Sequence, residues 1–132
     1  MSQENLELSY AWVDAFNRRD LDTLDRLHDE GIVWQTTPED PDASTHRGRD
    51  AVRRYLTGYI ESFPDLRIEV TDCFSLGDGR VFNTSRLVGE SAQGVPMDWS
   101  LTIVSTIEDG VFVHAEEYFD RAAALKAVGL QE

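Results

Sequence analysis

Two carboxylates in the last third of the chain have the type and spacing for acid–base chemistry. Glu117 and Asp98 both fall on a predicted pair of β-strands within residues 97–120. An apolar cavity disfavours the charged form of a carboxylate, so we expect a raised pKa for Glu117, which suits a general acid or base. Asp98 is predicted on the same face, four residues or about 13 Å from Thr102, the residue expected opposite Glu117. This spacing suits two groups acting at opposite ends of one substrate. The alternatives are a Glu117 bonded to Thr102 and an Asp98 that is an ordinary surface residue.

Histidine is the next candidate for proton transfer, because its charge changes near neutral pH. His46 precedes Arg47-Gly48 in a predicted loop near the mouth of the expected pocket, and we predict that it assists Glu117. His114 is predicted to be an interface or edge residue, and His28, on a short helix, is predicted to be solvated. None of them is paired in sequence with a nucleophile.

Aromatic and amide side chains supply the predicted ligand contacts. Most aromatic residues at helical or strand spacing belong to the core, but a few must line a cavity, where tyrosine hydroxyls can donate to a substrate oxygen. Asn83 and Arg86 have opposite parity on one predicted strand, so only one can face inward, and an inward Arg86 would indicate an anionic or carbonyl ligand. The predicted substrate-binding residues are Tyr10, Phe16, Trp34, Tyr55, Tyr59, Phe63, Asn83, Arg86 and Thr102.

The final hairpin positions the two carboxylates. Asp109-Gly110 lies between β-branched and aromatic runs, which predicts a two-residue turn with positive φ at both residues. The resulting register pairs Glu108 with Val111, Thr106 with Val113, Val104 with Ala115 and Thr102 with Glu117. One face then carries bulky residues, namely Trp99, Leu101, Ile103, Ile107, Phe112 and Tyr118. The other is lined by smaller residues and Glu117, and we assign it to a cavity. A bulge would reverse this assignment beyond it.

The preceding segments alternate between helical and strand periodicity. Helices are predicted over residues 3–17, 21–30 and 49–63, with Asp20 as an N-cap and Gly31 ending the second helix. Strands are predicted over 32–36, 66–76 and 80–90, a loop over 38–47, and a terminal helix over 122–128. Helices grouped early and antiparallel strands grouped late predict an α+β fold, with helices covering one face of a curved sheet.

Composition narrows the function classes. A chain of 132 residues with 41% hydrophobic content predicts one globular domain over residues 1–132. The net charge of −13 argues against nucleic-acid or anionic-membrane binding. The single cysteine, Cys73, and a start without signal-peptide features favour a cytoplasmic protein. No phosphate-binding loop, nucleophile elbow or zinc spacing is present, so we expect no cofactor or metal.

Several motifs resemble the SnoaL-like branch of the nuclear-transport-factor-2-like superfamily. They are A-F-N-R-R-D-L-D-T-L, V-W, H-R-G-R-D-A-V-R-R-Y-L, S-F-P-D-L-R and E-D-G-V-F-V-H-A-E-E-Y-F-D-R-A-A-A-L. The resemblance implies a cone-shaped domain whose curved, largely antiparallel (mixed) sheet of four to six strands wraps around three N-terminal helices. It also implies one deep pocket and a homodimer formed through the sheet. Cyclases and epoxide hydrolases of this type place a working Asp where this chain has Glu117, in the run Ala115-Glu116-Glu117 instead of His-Trp-Asp.

Two functions follow from these observations. The first is a cofactor-independent isomerase, cyclase or hydratase that uses Glu117, with Asp98 or His46, on an apolar carbonyl, polyketide or epoxide-type substrate. The second is a binding or dimeric scaffold protein that holds an apolar small molecule without reaction. Shared fold alone does not distinguish them.

Overall fold

A computed structural model describes residues 2–37 and 43–130 of the chain. The helices within this part are α1 (Ser2–Asn17), α2 (Leu21–Leu27), α3 (Arg49–Ser62) and α4 (Arg121–Ala127). The strands are β1 (His28–Gln35), β2 (Thr45–Arg47), β3 (Arg67–Ser75), β4 (Arg80–Glu90), β5 (Pro96–Glu108) and β6 (Val111–Tyr118). The α+β prediction is confirmed, with helices grouped before the main run of strands.

The six strands form one open, mixed sheet in the order β2-β1-β6-β5-β4-β3. Neighbouring strands are antiparallel except β1 and β6, which run parallel. This pairing brings the first strand of the chain next to the last. Trp34 of β1 therefore lies opposite Ala115 of β6, two residues from Glu117.

Helices cover both faces of the sheet, but unequally. The inner face, defined here as the one that packs against α1, α2 and α3, forms the main core with Phe16, Leu24 and Leu56 from the helices. The outer face carries a smaller core in which Ala124 and Leu125 of α4 pack on Phe82 and Val104. Since side chains alternate along a strand, each of the strands β3 to β6 contributes to both cores.

The hairpin turn has the predicted conformation. Asp109 has φ 52° and Gly110 has φ 80°, and Glu108 pairs with Val111. Beyond this pair the predicted register is wrong, because β6 contains a bulge. Thr106 pairs with His114 and Ile107 with Phe112, which leaves Val113 as the extra residue.

Because of the bulge, the residues of β6 that follow it face the opposite side of the sheet, relative to β5, from the side that was predicted. Glu117 lies opposite Ile103 instead of Thr102, so it shares a face with the bulky residues of β5. Leu101, Ile103 and Phe112 are part of the inner core, not an exposed patch. The bulky face of the predicted hairpin therefore belongs largely to the interior, and the homodimer implied by the family resemblance stays a prediction.

Two predicted boundaries also differ. The second helix ends at Leu27 and not at Gly31, since His28 already has extended backbone and begins β1. Gly31 lies inside β1, where its N–H donates to the Asp29 carboxylate at 2.8 Å. The predicted loop over 38–47 contains β2 at Thr45–Arg47, while residues 38–42 lie outside the described residues.

The described helices were also compared with the length and hydropathy that a bilayer requires. None of them combines sufficient length with sufficient apolar character to cross a membrane.

Candidate functional site

A cavity lies between the inner face of the sheet and helices α1 and α3. It offers about 70 Å³ to the centre of a water molecule, several times the roughly 10–15 Å³ that one water occupies by this measure. Its lining is mostly apolar and consists of Ser9, Trp12, Val13, Phe16, Trp34, Tyr55, Leu56, Tyr59, Leu66, Ile68, Asn83, Ser85, Leu87, Leu101, Ile103, Ser105, Phe112 and Glu117. This composition suits an apolar molecule with a few polar groups.

Glu117 is the carboxylate of this cavity and is only 4% exposed. Its Oε2 accepts two hydrogen bonds, one from Trp34 Nε1 at 2.6 Å and one from the Tyr55 hydroxyl at 2.7 Å. Both donors are neutral. Burial raises the energy of the anion and the two donors lower it, so the group is held in one orientation with its charge partly compensated.

Tyr55 connects Glu117 to a second tyrosine of the cavity. The Tyr55 hydroxyl donates its one hydrogen to Glu117, and the Tyr55 ring packs edge-on against Tyr59 with centroids 5.3 Å apart. Burial first, and then the Glu117 charge, holds the pKa of Tyr55 well above its ordinary value of 10.0. Tyr55 therefore stays protonated and remains a donor throughout the physiological pH range.

His46 packs against Tyr55 and is not part of the cavity wall. Its ring stacks on Tyr55 with centroids 4.4 Å apart, and its Nε2 lies 3.1 Å from the Ser44 hydroxyl. Partial burial and the nearby Arg54 charge lower the pKa of His46 from its ordinary value. The structure thus brings His46 next to a neighbour of Glu117, without direct contact to the cavity.

Glu117 also borders a second, more polar recess. Its walls come from the end of β1, the residues before β2, and β6, and include Gln35, Thr36, Ser44 and Tyr118. Glu117 consequently lies between an apolar cavity on one side and a polar recess on the other. A carboxylate in this position can exchange protons between a substrate in the cavity and the solvent.

A group of polar side chains from α1, β4 and β5 also faces the cavity. The Ser85 hydroxyl donates to Asn83 Oδ1 at 2.6 Å, and Asn83 Nδ2 donates to the Ser9 hydroxyl at 3.3 Å. Ser105 also lines the cavity. We call Ser9, Asn83, Ser85 and Ser105 the polar strip. Of the two alternatives for β4, Asn83 faces inward and Arg86 faces outward.

The predicted roles of Asp98 and Arg86 in the cavity are not supported by their positions. Asp98 is exposed on the outer face, where Arg86 contacts both of its oxygens at 3.1 and 2.6 Å. The hydrogen bond and charge of Arg86 lower the pKa of Asp98. Because Asp98 and Glu117 point to opposite faces of the sheet, they cannot act on the two ends of one substrate in this cavity.

Three further predicted contacts lie outside the cavity lining. Tyr10 is 51% exposed on the solvent side of α1. Thr102 faces the outer core and lies 2.9 Å from the Thr84 hydroxyl. Phe63 packs at the edge of the inner core against Trp99, with ring centroids 6.5 Å apart. Phe16, Trp34, Tyr55, Tyr59 and Asn83 do line the cavity, as predicted.

His28 is the largest departure from the sequence prediction outside the cavity. It is 1% exposed rather than solvated, and its Nε2 accepts a 2.8 Å hydrogen bond from Trp12 Nε1. Burial lowers the pKa of His28 to about 4. The Asp25 charge opposes this shift, and the Arg49 charge adds to it. His28 is therefore neutral near pH 7 and fixes the indole of Trp12, a cavity residue.

Among the cavity residues that carry a polar side-chain group, sequence reasoning missed four, namely Ser9, Trp12, Ser85 and Ser105. Ser85 was recoverable, since it has the same parity as Asn83 on β4. Ser105 could be placed in the cavity only if the bulge in β6 was known. Ser9 and Trp12 could be placed there only from the angle at which α1 crosses the sheet. The positions of these three residues therefore do not follow from a local sequence pattern.

Known structures share this architecture. Bal32a from a soil-derived mobile gene cassette is 26% identical, with 89% of each chain covered and a TM-score of 0.81. A putative SnoaL-like polyketide cyclase from Jannaschia sp. CCS1 is 18% identical, with 99% of this chain and 95% of that chain covered and a TM-score of 0.79. A hypothetical protein with a ketosteroid isomerase-like fold from Catenulispora acidiphila DSM 44928, in complex with trimethylamine, is 15% identical over 94% and 93% of the chains, with a TM-score of 0.75.

Among the curated proteins, none matches this chain. The family profile of the SnoaL-like domain, in contrast, matches residues 10–115, which include the second half of α1, all of α2 and α3, and most of the sheet. The match covers well over half of the sequence and agrees with the fold of the structural neighbours. The chain therefore belongs to the SnoaL-like domain family.

Proposed function

We propose that the protein binds an apolar carbonyl or polyketide-type molecule in the cavity and acts on it by carboxylate general acid–base catalysis without a cofactor. The observation that carries the proposal is the position of Glu117, buried in an otherwise apolar cavity with Trp34 and Tyr55 bound to one of its oxygens. Carboxylates are rarely buried without a partner or a role, and a buried carboxylate beside open space can reach a substrate proton.

In this mechanism Glu117 accepts a proton from carbon next to a substrate carbonyl and returns it at another position. Trp34 and Tyr55 hold the carboxylate in place, so its orientation is set before the substrate arrives. Tyr59, which also lines the cavity, packs edge-on against the ring of Tyr55. The apolar walls exclude water and so strengthen these interactions.

His46 has a positioning role in this proposal and not a catalytic one. It contacts the ring of Tyr55 and does not line the cavity. Proton exchange between Glu117 and solvent would use the polar recess beside Ser44 and Tyr118. Asp98 has no part in the mechanism, because it is paired with Arg86 on the outer face.

A non-catalytic ligand-binding protein is the second candidate. It is favoured by the hydrogen bonds of Glu117, since an oxygen that already receives two donors can serve to stabilise the fold rather than to move protons. The cavity would then hold an apolar molecule without changing it.

The test begins with a thermal-shift screen of steroid-like, polyketide-like and terpene-like compounds, followed by turnover assays on those that bind. Glu117→Gln keeps the shape of the side chain and removes its ability to titrate. We expect turnover to fall by about a hundredfold or more, the usual contribution of a positioned acid or base, with little change in ligand affinity.

Glu116→Gln is the matched control. Glu116 is the adjacent residue on the same strand, but it faces outward, is partly exposed and accepts a hydrogen bond from Tyr118 at 2.7 Å. Its replacement should leave turnover within about twofold of the wild type. Undiminished turnover in Glu117→Gln would remove the catalytic proposal. Ligands that bind but are never converted would favour the second candidate.

A further inference from the structure

The polar strip, Ser9, Asn83, Ser85 and Ser105, has no part in the proposed proton transfer. Ser9 and Ser85 are 7% and 5% exposed, and all four residues line the cavity. They come from α1, β4 and β5, so the chain brings them together only in the folded state. Polar groups on an apolar wall destabilise a fold unless their hydrogen-bonding capacity is used.

The strand register fixes where the strip lies relative to Glu117. Asn83 pairs with Ile103, and Ile103 pairs with Glu117, so these three residues form one row across the inner face. Neighbouring strands are about 4.8 Å apart, which separates the backbones of Asn83 and Glu117 by roughly 10 Å. Ser105 is two residues from Ile103 on the same face and is therefore a diagonal neighbour of both.

The hydrogen bonds within the strip leave part of its capacity unused. Ser85 donates to Asn83, and Asn83 donates to Ser9, so the orientation of the amide is fixed. Cys73, at 3.8 Å from the Ser9 hydroxyl, adds only a weak contact. Within the described residues, no hydrogen bond uses the hydrogen of Ser9 or the hydroxyl of Ser105. Both hydroxyls can therefore donate to a ligand oxygen, and Ser85 and Ser105 can also accept.

We infer that the polar strip is a second binding subsite, which takes a hydroxyl or carbonyl group at the end of the ligand remote from Glu117. This inference rests on the proposed function and narrows its substrate class. The ligand is an elongated apolar molecule with an oxygen-bearing group at each end. The two oxygens are about 10 Å apart, the separation of the backbones that carry Asn83 and Glu117. Ile103, between the two polar ends, contacts the apolar middle.

The test compares 2-naphthol with 2,6-dihydroxynaphthalene, which differ by one hydroxyl at the far end of the ring system. Isothermal titration calorimetry of the wild-type protein should give a dissociation constant about fivefold to tenfold lower for the diol, the factor expected from one additional hydrogen bond. Asn83→Leu should reduce this ratio to nearly one while 2-naphthol still binds. The double variant Ser9→Ala/Ser105→Ala should also reduce the ratio to nearly one. It tests the subsite independently if Asn83→Leu does not fold.

Two control variants separate this inference from the proposed function. Ser100→Ala changes an exposed serine on the strand that carries Ser105 and should preserve the ratio. Glu117→Gln acts on the carboxylate of the cavity and not on the strip, so it should also preserve the ratio of the two affinities. Equal affinities in the wild type, or a ratio that survives in both strip variants, would overturn the subsite alone. Failure of both probes to bind would count against the proposed function and the subsite together.

Discussion

Two adjacent glutamates show how the same residue type acquires different properties. Glu116 and Glu117 each accept a hydrogen bond of 2.7 Å from a tyrosine hydroxyl, Tyr118 and Tyr55 respectively. Glu117 is buried, whereas the side chain of Glu116 is 38% exposed. Water can replace the tyrosine at Glu116, but it cannot readily do so at Glu117, so the two hydrogen bonds should differ in their contribution to stability.

Paired tyrosine variants test this difference. Tyr55→Phe removes a donor from a buried carboxylate and should lower the free energy of unfolding by about 1–3 kcal/mol. Tyr118→Phe removes the corresponding donor from a half-exposed one and should lower it by less than about 1 kcal/mol. Urea denaturation monitored by far-UV circular dichroism measures both. Equal losses would mean that the Glu117 oxygen is reached by water in solution.

At the level of elements, the turn and the bulge of the last hairpin together determine what faces the cavity. The turn brings β5 and β6 together, and the bulge at Val113 shifts every later residue of β6 by one position. Without the extra residue, Glu117 and Ile103 would lie on opposite faces. A single residue therefore moves the candidate catalytic group into the cavity.

Gly110→Val tests the turn. Gly110 has φ 80°, and a Cβ there would meet no atom within 4 Å, so the penalty is conformational rather than steric contact with neighbours. We expect a loss of about 1–2 kcal/mol in the free energy of unfolding, because β-branched residues strongly disfavour positive φ.

Gly58→Ala provides the control for this variant. Gly58 is an exposed residue inside α3, and a Cβ there also has open space, but its φ is ordinary for a helix. Alanine should raise the free energy of unfolding by about 0.5–1 kcal/mol, since glycine is a poor helix former. If thermal denaturation shows the same effect for both variants, the assigned turn conformation is wrong.

For the whole molecule, His28 links stability to pH. Its folded pKa of about 4 lies below the ordinary histidine value of 6.5, because burial disfavours the imidazolium. The unfolded chain then binds more protons than the folded one between these two values, so stability is fully present above about pH 6.5 and falls as the pH decreases toward 4. From pH 7 to pH 5, this residue should account for a loss of about 2 kcal/mol.

His28→Gln should remove this part of the pH dependence. The glutamine oxygen can still accept the hydrogen bond from Trp12, so the fold should tolerate the change. Urea denaturation at pH 7 and pH 5 should then show a difference about 2 kcal/mol smaller than that of the wild type. An unaltered pH dependence in His28→Gln would show that the ring is hydrated or charged in the folded protein.

The sequence by itself determined most of the elements of this protein and identified Glu117 as the candidate catalytic residue. Helical and alternating periodicities are local properties, so they placed α1, α3, β3, β4 and the turn at Asp109-Gly110 within a few residues of their observed positions. The resemblance of the motifs to SnoaL-like proteins gave the fold class. It also directed attention to Glu117, and the aromatic residues Trp34, Tyr55 and Tyr59 were rightly expected in the cavity.

The tertiary structure decided which face each strand turns to the helices. Register across a hairpin depends on every residue between the turn and the position of interest, so the one extra residue at Val113 separated Glu117 from Thr102 and Asp98. The burial of His28 depends on the approach of α1, which is 16 residues earlier in the chain at Trp12. The polar strip likewise needs α1, β4 and β5 to meet. Contacts between distant segments are set by packing, and local sequence patterns carry no direct record of them.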